Sequence, residues 1–273
     1  MTYLSRIRIN PLRAASRTLL SNPRALHAAV MGGLPDHTDE ERVLWRLDPD
    51  NPHRPHLFVL TRSRPDWTHV VEQVGWPDAD GEHAAVRDYA PVLDQLAVGR
   101  EFAFRLTASP VHNTRTPTKL TPAQAERIAA HAEVGNERPR GFRLGHRTAS
   151  AQLDWLLGRT SRCGFDIPAV HIEAAAAGPQ PHATATAPDC AEPPRRRPDP
   201  NPPFEVRITA RHRHSFRKHE KGHHVVFHSA TFEGRLRITD TELFRTSLLT
   251  GIGPSKAYGC GLLTLAPLPE SRG

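Results

Sequence analysis

Residues 248 to 268, LLTGIGPSKAYGCGLLTLAPL, place Gly251, Gly253, Gly259 and Gly261 around Ser255 and Lys256, directly before an apolar run. Glycine has no Cβ and tolerates positive φ, so such a loop lets backbone amides come close to an anion, and the ammonium of Lys256 adds a point charge. Phosphate binding is the chemistry this suits. The spacing has neither the GxxxxGK[ST] form of a nucleotide-binding loop nor the strand, loop, helix order of a dinucleotide fold. A helix C-cap followed by a β-bulge accounts for the same glycines without any ligand. Of the 36 basic residues, four are lysines, and Lys218, Lys221 and Lys256 all lie in the last quarter of the chain.

A second concentration of charge is RITARHRHSFRKHEKGHH, with Arg207, Arg211, Arg213, Arg217, Lys218 and Lys221. Strand alternation places Arg207, Arg211, Arg213, Arg217 and His219 on one face, a stripe suited to tracking phosphates. The competing reading is a metal site built from His212, His214, His219, His223, His224 and His228. No cysteine joins these histidines, and no metal or other cofactor is expected. A third basic run, Arg138, Arg140, Arg143 and Arg147, precedes the amphipathic stretch TASAQLDWLLGR.

The totals agree with an anionic partner. The chain of 273 residues carries a formal charge of +7 with a pI near 9.9, which suits nucleic acid or an anionic membrane surface. No apolar run approaches the roughly 20 residues that span a bilayer, and MTYLSRIRINPLR alternates instead of forming a signal-peptide core. Cys163, Cys190 and Cys260 are far apart, odd in number and form no CxxC, so neither a disulfide framework nor a thiolate zinc site is indicated, which fits a reducing cytoplasm.

The elements that must position these groups follow a repeating order. TYLSRIRI (2 to 9) alternates as a strand, and SNPRALHAAV carries a cap at Ser21 or Asn22, proline at the first helical position and a Gly-Gly stop, predicting a helix over 22 to 31. Strands are expected at 42 to 48 and 55 to 63, a helix from Asp66, and a strand at 86 to 92. The order returns after Gly99. REFAFRLTASPVH (100 to 112) reads as one long strand, and TPAQAERIAAHA as a helix capped by Thr121. A further helix is expected at 148 to 159 with Leu153, Leu156 and Leu157 on one side and Trp155 at its flank. A hairpin follows over 204 to 238, then a helix over 239 to 250, and a closing strand from Tyr258. The fold class is α+β, with two tandem ferredoxin-like (RRM-like) βαββαβ domains over 1 to 97 and 98 to 273. Residues 174 to 203 hold nine prolines and little apolar bulk, and are expected to form a flexible, dispensable insertion in the second domain.

GIGPSKAYGCGLLTLAP closely resembles the C-terminal signature of the CRISPR-associated repeat-processing endoribonucleases of type I-E systems, the CasE (Cse3) family. The likeness continues in order through MTYLSRIRI, RALHAAV, FAFRLTASPVHN, QLDWLLGR and TFEGRLRITD, and covers most of the chain apart from the proline-rich segment. The resemblance implies two ferredoxin-like domains, in agreement with the element order. It also implies metal-independent cleavage of a repeat stem-loop RNA in the cytoplasm. The mature guide RNA would stay bound among the other subunits of an RNA-guided surveillance complex. The free protein is expected to be monomeric, with no membrane partner.

The resemblance singles out His27, which occupies the first-helix histidine of the family motif. Cleaving RNA without metal requires deprotonation of a 2′-hydroxyl, protonation of the leaving 5′-oxygen, and stabilisation of extra charge on phosphorus, and an imidazole serves either transfer near neutral pH. A 5′-hydroxyl and a 2′,3′-cyclic phosphate, or its 3′-phosphate product, would result. Family members often carry a tyrosine three positions before this histidine, and here that place is Arg24, one helical turn away. The expected contacts to RNA are Lys256, Gly251, Gly253, Ser255, Gly259, Gly261, Arg211, Arg213, Arg217, Lys218, Lys221, Arg143 and Arg147. Two other readings stand beside this one. The first is a non-catalytic subunit of the same fold that grips the guide hairpin. The second is a generic single-strand binder that stacks bases on Phe102 and Phe104.

Overall fold

The computed structural model describes residues 1–35, 42–77, 79, 81–114, 142–170, 203–217 and 224–268. In β1 (Tyr3–Arg8) the alternation turns Ser5 and Ile7 into the interior and leaves Arg6 outside. Two short helices follow, α1 (Ala14–Ser21) and α2 (Pro23–Met31), joined at Asn22. The chain then forms β2 (Leu44–Asp48), β3 (His56–Thr61), α3 (Thr68–Val74), β4 (Ala84–Asp88) and the single turn α4 (Ala90–Leu93). The four strands make an antiparallel sheet in the order β2-β3-β1-β4, the ferredoxin-like arrangement.

The second half repeats it. β5 (Glu101–Ala108) is followed by β6 (Val111–Thr114), β7 (Phe142–Gly145), α5 (Ala149–Leu157), β8 (Phe165–Asp166), β9 (Val206–Arg217), β10 (His224–Ile238), α6 (Thr241–Thr250) and β11 (Leu263–Ala266). The order β11-β5-β10, with β9 paired on β10, is again ferredoxin-like, and β8 extends the far end of β10. β6 and β7 form a separate small ribbon. Caps agree with the sequence: Thr148 accepts from the Ala151 amide and Asp240 from the Leu243 amide.

Several expectations change. α1 was not anticipated. The stretch from 100 to 112 is two strands, broken at Ser109-Pro110, where proline removes a ladder donor. The strand expected at 86 to 92 runs from Ala84 to Asp88, and Pro91 opens a helical turn instead of extending it. Phe102 and Phe104 are buried in the core, so they offer no stacking platform. Trp155 is buried with Leu156 and does not flank the helix. The helix expected from Thr121 lies outside the described residues, as does the proline-rich segment up to Pro202.

The first sheet takes its strands from residues 3 to 88 and the second from residues 101 to 266, yet the packing joins the two. One core joins Ile7, Leu26, Val30, Trp45, Val59 and Val70 beneath the first sheet. The other combines Leu44, Leu60, Leu93 and Leu96 from the first half with Leu106, Phe232, Phe244 and Leu263 from the second. At this seam lies Arg46, 2% exposed. Its guanidinium is bidentate on Asp48 at 2.6 and 2.8 Å and donates to the carbonyls of Arg105 (2.9 Å) and Leu262 (3.2 Å) in the second half. A buried cation so fully paired ties the two sheets in one register.

Candidate active site

α2 starts where Asn22 accepts the Arg24 amide at 3.0 Å, with Pro23 in the first turn. Leu26 and Val30 bury one side of the helix, leaving His27 half-buried and Arg24 exposed, one turn apart. A 3₁₀ turn, Lys256–Tyr258, packs from the second half against both α2 and β2. The histidine and lysine segments, 229 positions apart in the chain, therefore meet at the domain seam. Burial, reinforced by the charge of Arg42, lowers the Lys256 pKa below its ordinary value. Arg42 was not anticipated. It precedes β2 as one more arginine among many, and nothing in its local spacing marks it.

The glycines of the loop have a packing reason. Gly251, Gly253, Gly259 and Gly261 all have positive φ, and Ser255 joins them at φ 63°. A Cβ on Gly259 would sit 2.7 Å from the Trp45 ring, one on Gly251 2.7 Å from the Leu44 side chain, and one on Gly253 2.9 Å from Trp155. The Gly261 amide donates to the Thr107 carbonyl at 2.7 Å, and the Ile252 amide to the Gly261 carbonyl at 2.9 Å. On the Cα side of three glycines the space is filled by the protein itself. Anything that approaches the loop does so from its other side.

The hairpin behaves differently from simple alternation. The β9/β10 register shifts at Thr231/Phe232, with Thr231 opposite Ala210 and Phe232 opposite Ile208. Thr209 is the extra residue, a β-bulge that reverses which face each side chain takes. Arg211 and Arg213 thus lie on the face shared with α5, whereas Arg207 lies on the other face against Glu233 at 3.2 Å. The single stripe expected from Arg207 to Arg217 is broken at its base, and Arg217 continues the Arg211 face. Arg211 donates from Nε to Gln152 Oε1 at 2.9 Å and from Nη2 to the carbonyl of Arg147. Nearby His228 is held below its ordinary pKa by burial and by Arg147, Arg213 and Arg211. Arg143 stands on β7, opposite Asn113. Lys218, Lys221, His219, Arg138 and Arg140 fall outside the described residues.

Among the described residues, the hairpin histidines do not converge. His212 and His214 lie on the opposite face from His228, and among the described residues no three His, Cys, Asp or Glu side chains form a group that holds a metal ion. His214 stacks on Phe227 at 4.5 Å, its Nε2 is 2.8 Å from Ser229 Oγ, and burial pulls its pKa down to about 4. Phe216 and Phe227 both contact the Tyr258 ring, at 5.0 and 5.6 Å. This aromatic clamp ties the hairpin to the turn bearing Lys256. Local patterning could not show it, because its partners lie in separate segments.

A family model described as CRISPR associated protein matches residues 2–267. The chain belongs to this family of CRISPR-associated proteins. Its likeness to the CasE (Cse3) branch is carried by the CRISPR-associated endoribonuclease Cse3 of Thermus thermophilus, 27% identical over 268 residues that cover 97% of this chain and 100% of that relative. A solved structure of Thermus thermophilus Cse3 bound to an RNA representing a pre-cleavage complex superposes with a TM-score of 0.62 at 25% identity, covering 97% of this chain and 99% of the other. A chain of a CRISPR RNA-guided surveillance complex matches at TM-score 0.51 and 18% identity, over 97% and 100%, which speaks to fold alone. Among the described residues of this family member, no helix is long and apolar enough to cross a membrane.

Proposed function

We propose that this protein is a metal-independent endoribonuclease that cleaves CRISPR precursor RNA at repeat stem-loops and retains the product hairpin as a subunit of an RNA-guided surveillance complex. The observation that carries this reading is the meeting of α2, with His27 and Arg24, and the Lys256–Tyr258 turn at the domain seam. The Cse3 relative, named an endoribonuclease and solved with a pre-cleavage RNA, supports it.

In this reading the 2′-oxygen attacks phosphorus, the bond to the 5′-oxygen breaks, and a 2′,3′-cyclic phosphate and a 5′-hydroxyl result. His27 either takes the 2′-hydroxyl proton or supplies the one received by the leaving oxygen. Lys256 and Arg24 face the charge that grows on the phosphoryl oxygens. A phosphate beside Lys256 offsets both the burial and the repulsion from Arg42, so the lysine cation and the transition-state charge stabilise each other. Arg211, Arg213, Arg217 and Arg147, with Arg143, hold the stem by its backbone, since an A-form major groove is too narrow for ordinary side-chain readout.

The test is cleavage of a CRISPR-repeat stem-loop RNA in excess EDTA by wild type and His27→Ala, with analysis of the ends. The expected result is a 5′-hydroxyl and a cyclic or 3′-phosphate from wild type, with at least a 100-fold slower reaction and preserved binding in the variant. Tight binding without cleavage by wild type would instead support the guide-retaining, non-catalytic role. Cleavage unchanged in the variant would remove His27 from the mechanism.

A further inference from the structure

Trp155 joins three elements that the reading above treats separately. Its indole nitrogen donates to the Val111 carbonyl on β6 at 3.1 Å, and the tip of its ring is the surface on which Gly253 packs. Over its face lies the Arg159 guanidinium, 4.0 Å from the ring centroid, with Nη1 donating to the Trp155 carbonyl at 2.9 Å. Stacking and hydrogen bonding hold the cation in one orientation, which removes much of the entropy that a surface arginine loses on binding.

Arg159 is one wall of a cleft of about 490 Å³ that runs from the β6/β7 ribbon to Pro254 in the glycine-rich loop. Its other polar walls are Arg143, His112, His146 and Asn113, with the carboxylate of Asp154 at one side. His112 and His146 stand with ring centroids 4.9 Å apart. Pro254 is two residues from Lys256, so the cleft adjoins the candidate active site, and Arg143 is common to it and to the basic residues assigned above to the stem.

We infer that this cleft is an additional subsite for an RNA phosphodiester, in which Arg159 supplies the fixed charge and the His112–His146 pair supplies a proton-dependent one. The inference rests on the ribonuclease reading and extends the RNA path beyond the turn that carries Lys256. An isolated surface charge would not be aimed by a buried tryptophan, whereas Arg159 is oriented by the same indole that seats the glycine-rich loop.

The histidines fix the sign of a pH effect. His146 is held below its ordinary pKa by burial, by His112 on β6 and by Arg159 just beyond the end of α5, with Asp154 opposing. Arg143 on β7 lines the same cleft, and His228 on β10 lies against Gly145, next to His146. A phosphate bound in the cleft beside the rings favours protonated imidazole at His146, so binding takes up a proton and tightens as pH falls.

The test uses the full chain carrying His27→Ala, with a repeat stem-loop RNA as the probe, and reads Kd against salt and pH. Adding Arg159→Gln is expected to weaken binding about 10-fold at 0.1 M salt and to lower the salt slope by about one. Adding His112→Gln with His146→Gln is expected to flatten the rise in affinity between about pH 7.5 and 5.5. Arg159→Lys, which keeps the charge but loses the planar stack, is expected to recover the salt slope and only part of the affinity. A parent that binds the stem-loop, with Arg159→Gln matching it in Kd and slope, overturns this subsite alone. An unaltered pH profile in the double histidine variant overturns the proton-dependent part. A parent that does not bind the stem-loop overturns the subsite together with the ribonuclease reading.

Discussion

Gly259→Ala separates two reasons for having glycine before the last strand. Gly259 has φ +80°, and its missing Cβ position lies 2.7, 3.0 and 3.1 Å from three ring carbons of Trp45, itself 2% exposed. Forcing alanine into the left-handed region costs about 1–2 kcal/mol, and pushing a methyl into a packed ring about 1–3 kcal/mol more, giving roughly 2–5 kcal/mol. The displaced turn carries Lys256, and under the proposed mechanism a shift near 1 Å at this charge costs on the order of 100-fold in rate. The assay is urea unfolding of the free protein, in a cycle with Trp45→Leu. The smaller side chain vacates the space that the new methyl needs. A coupling of about 1–3 kcal/mol is expected, such that alanine at 259 is better tolerated in the Trp45→Leu background. Gly259→Ala with wild-type stability and lost RNA binding would refute the packing argument and return the glycine to a role in clearing space for the RNA backbone. Zero coupling would refute the contact with Trp45 as the cause.

Two further outcomes follow from the seam and the hairpin. Arg46→Ala removes the bidentate pair with Asp48 and two hydrogen bonds to carbonyls of the second half. It is expected to cost about 2–4 kcal/mol in chemical unfolding, because the two carbonyls lose a charged donor while Asp48 keeps its ion pair with Arg105 at 3.1 Å; a loss below about 1 kcal/mol would show that Arg46 does not tie the halves together. His214 has a folded pKa near 4, below its unfolded value of about 6.5, so its contribution to stability is present above the unfolded value and is lost as pH falls through that window. Stability of His214→Asn measured from pH 7 to 4 is expected to decline less than that of wild type, and an equal decline would mean that other groups carry the acid sensitivity.

The fold was legible because its signals are local. Alternation in β1, the Asn22-Pro23 start of α2 and the Asp240 cap of α6 each act within a few residues, and their order points to two ferredoxin-like units. Where the reading slipped, a local rule met a tertiary one. Ser109-Pro110 splits an otherwise continuous alternation into β5 and β6, and the extra residue at Thr209 moves Arg207 away from Arg211 while leaving the periodicity of the sequence intact.

By itself, the sequence determined the basic character, the element order and the family likeness that singles out His27. The arrangement of the candidate site was decided by tertiary structure. Lys256 reaches α2 because Gly251 and Gly259 close onto Leu44 and Trp45, because Phe216 and Phe227 clamp Tyr258, and because Arg46 bonds across the seam. Each of these is a contact between residues far apart in the chain. Propensity and periodicity describe how a segment satisfies its own backbone and faces, whereas long-range contacts are set by which surfaces exclude water together.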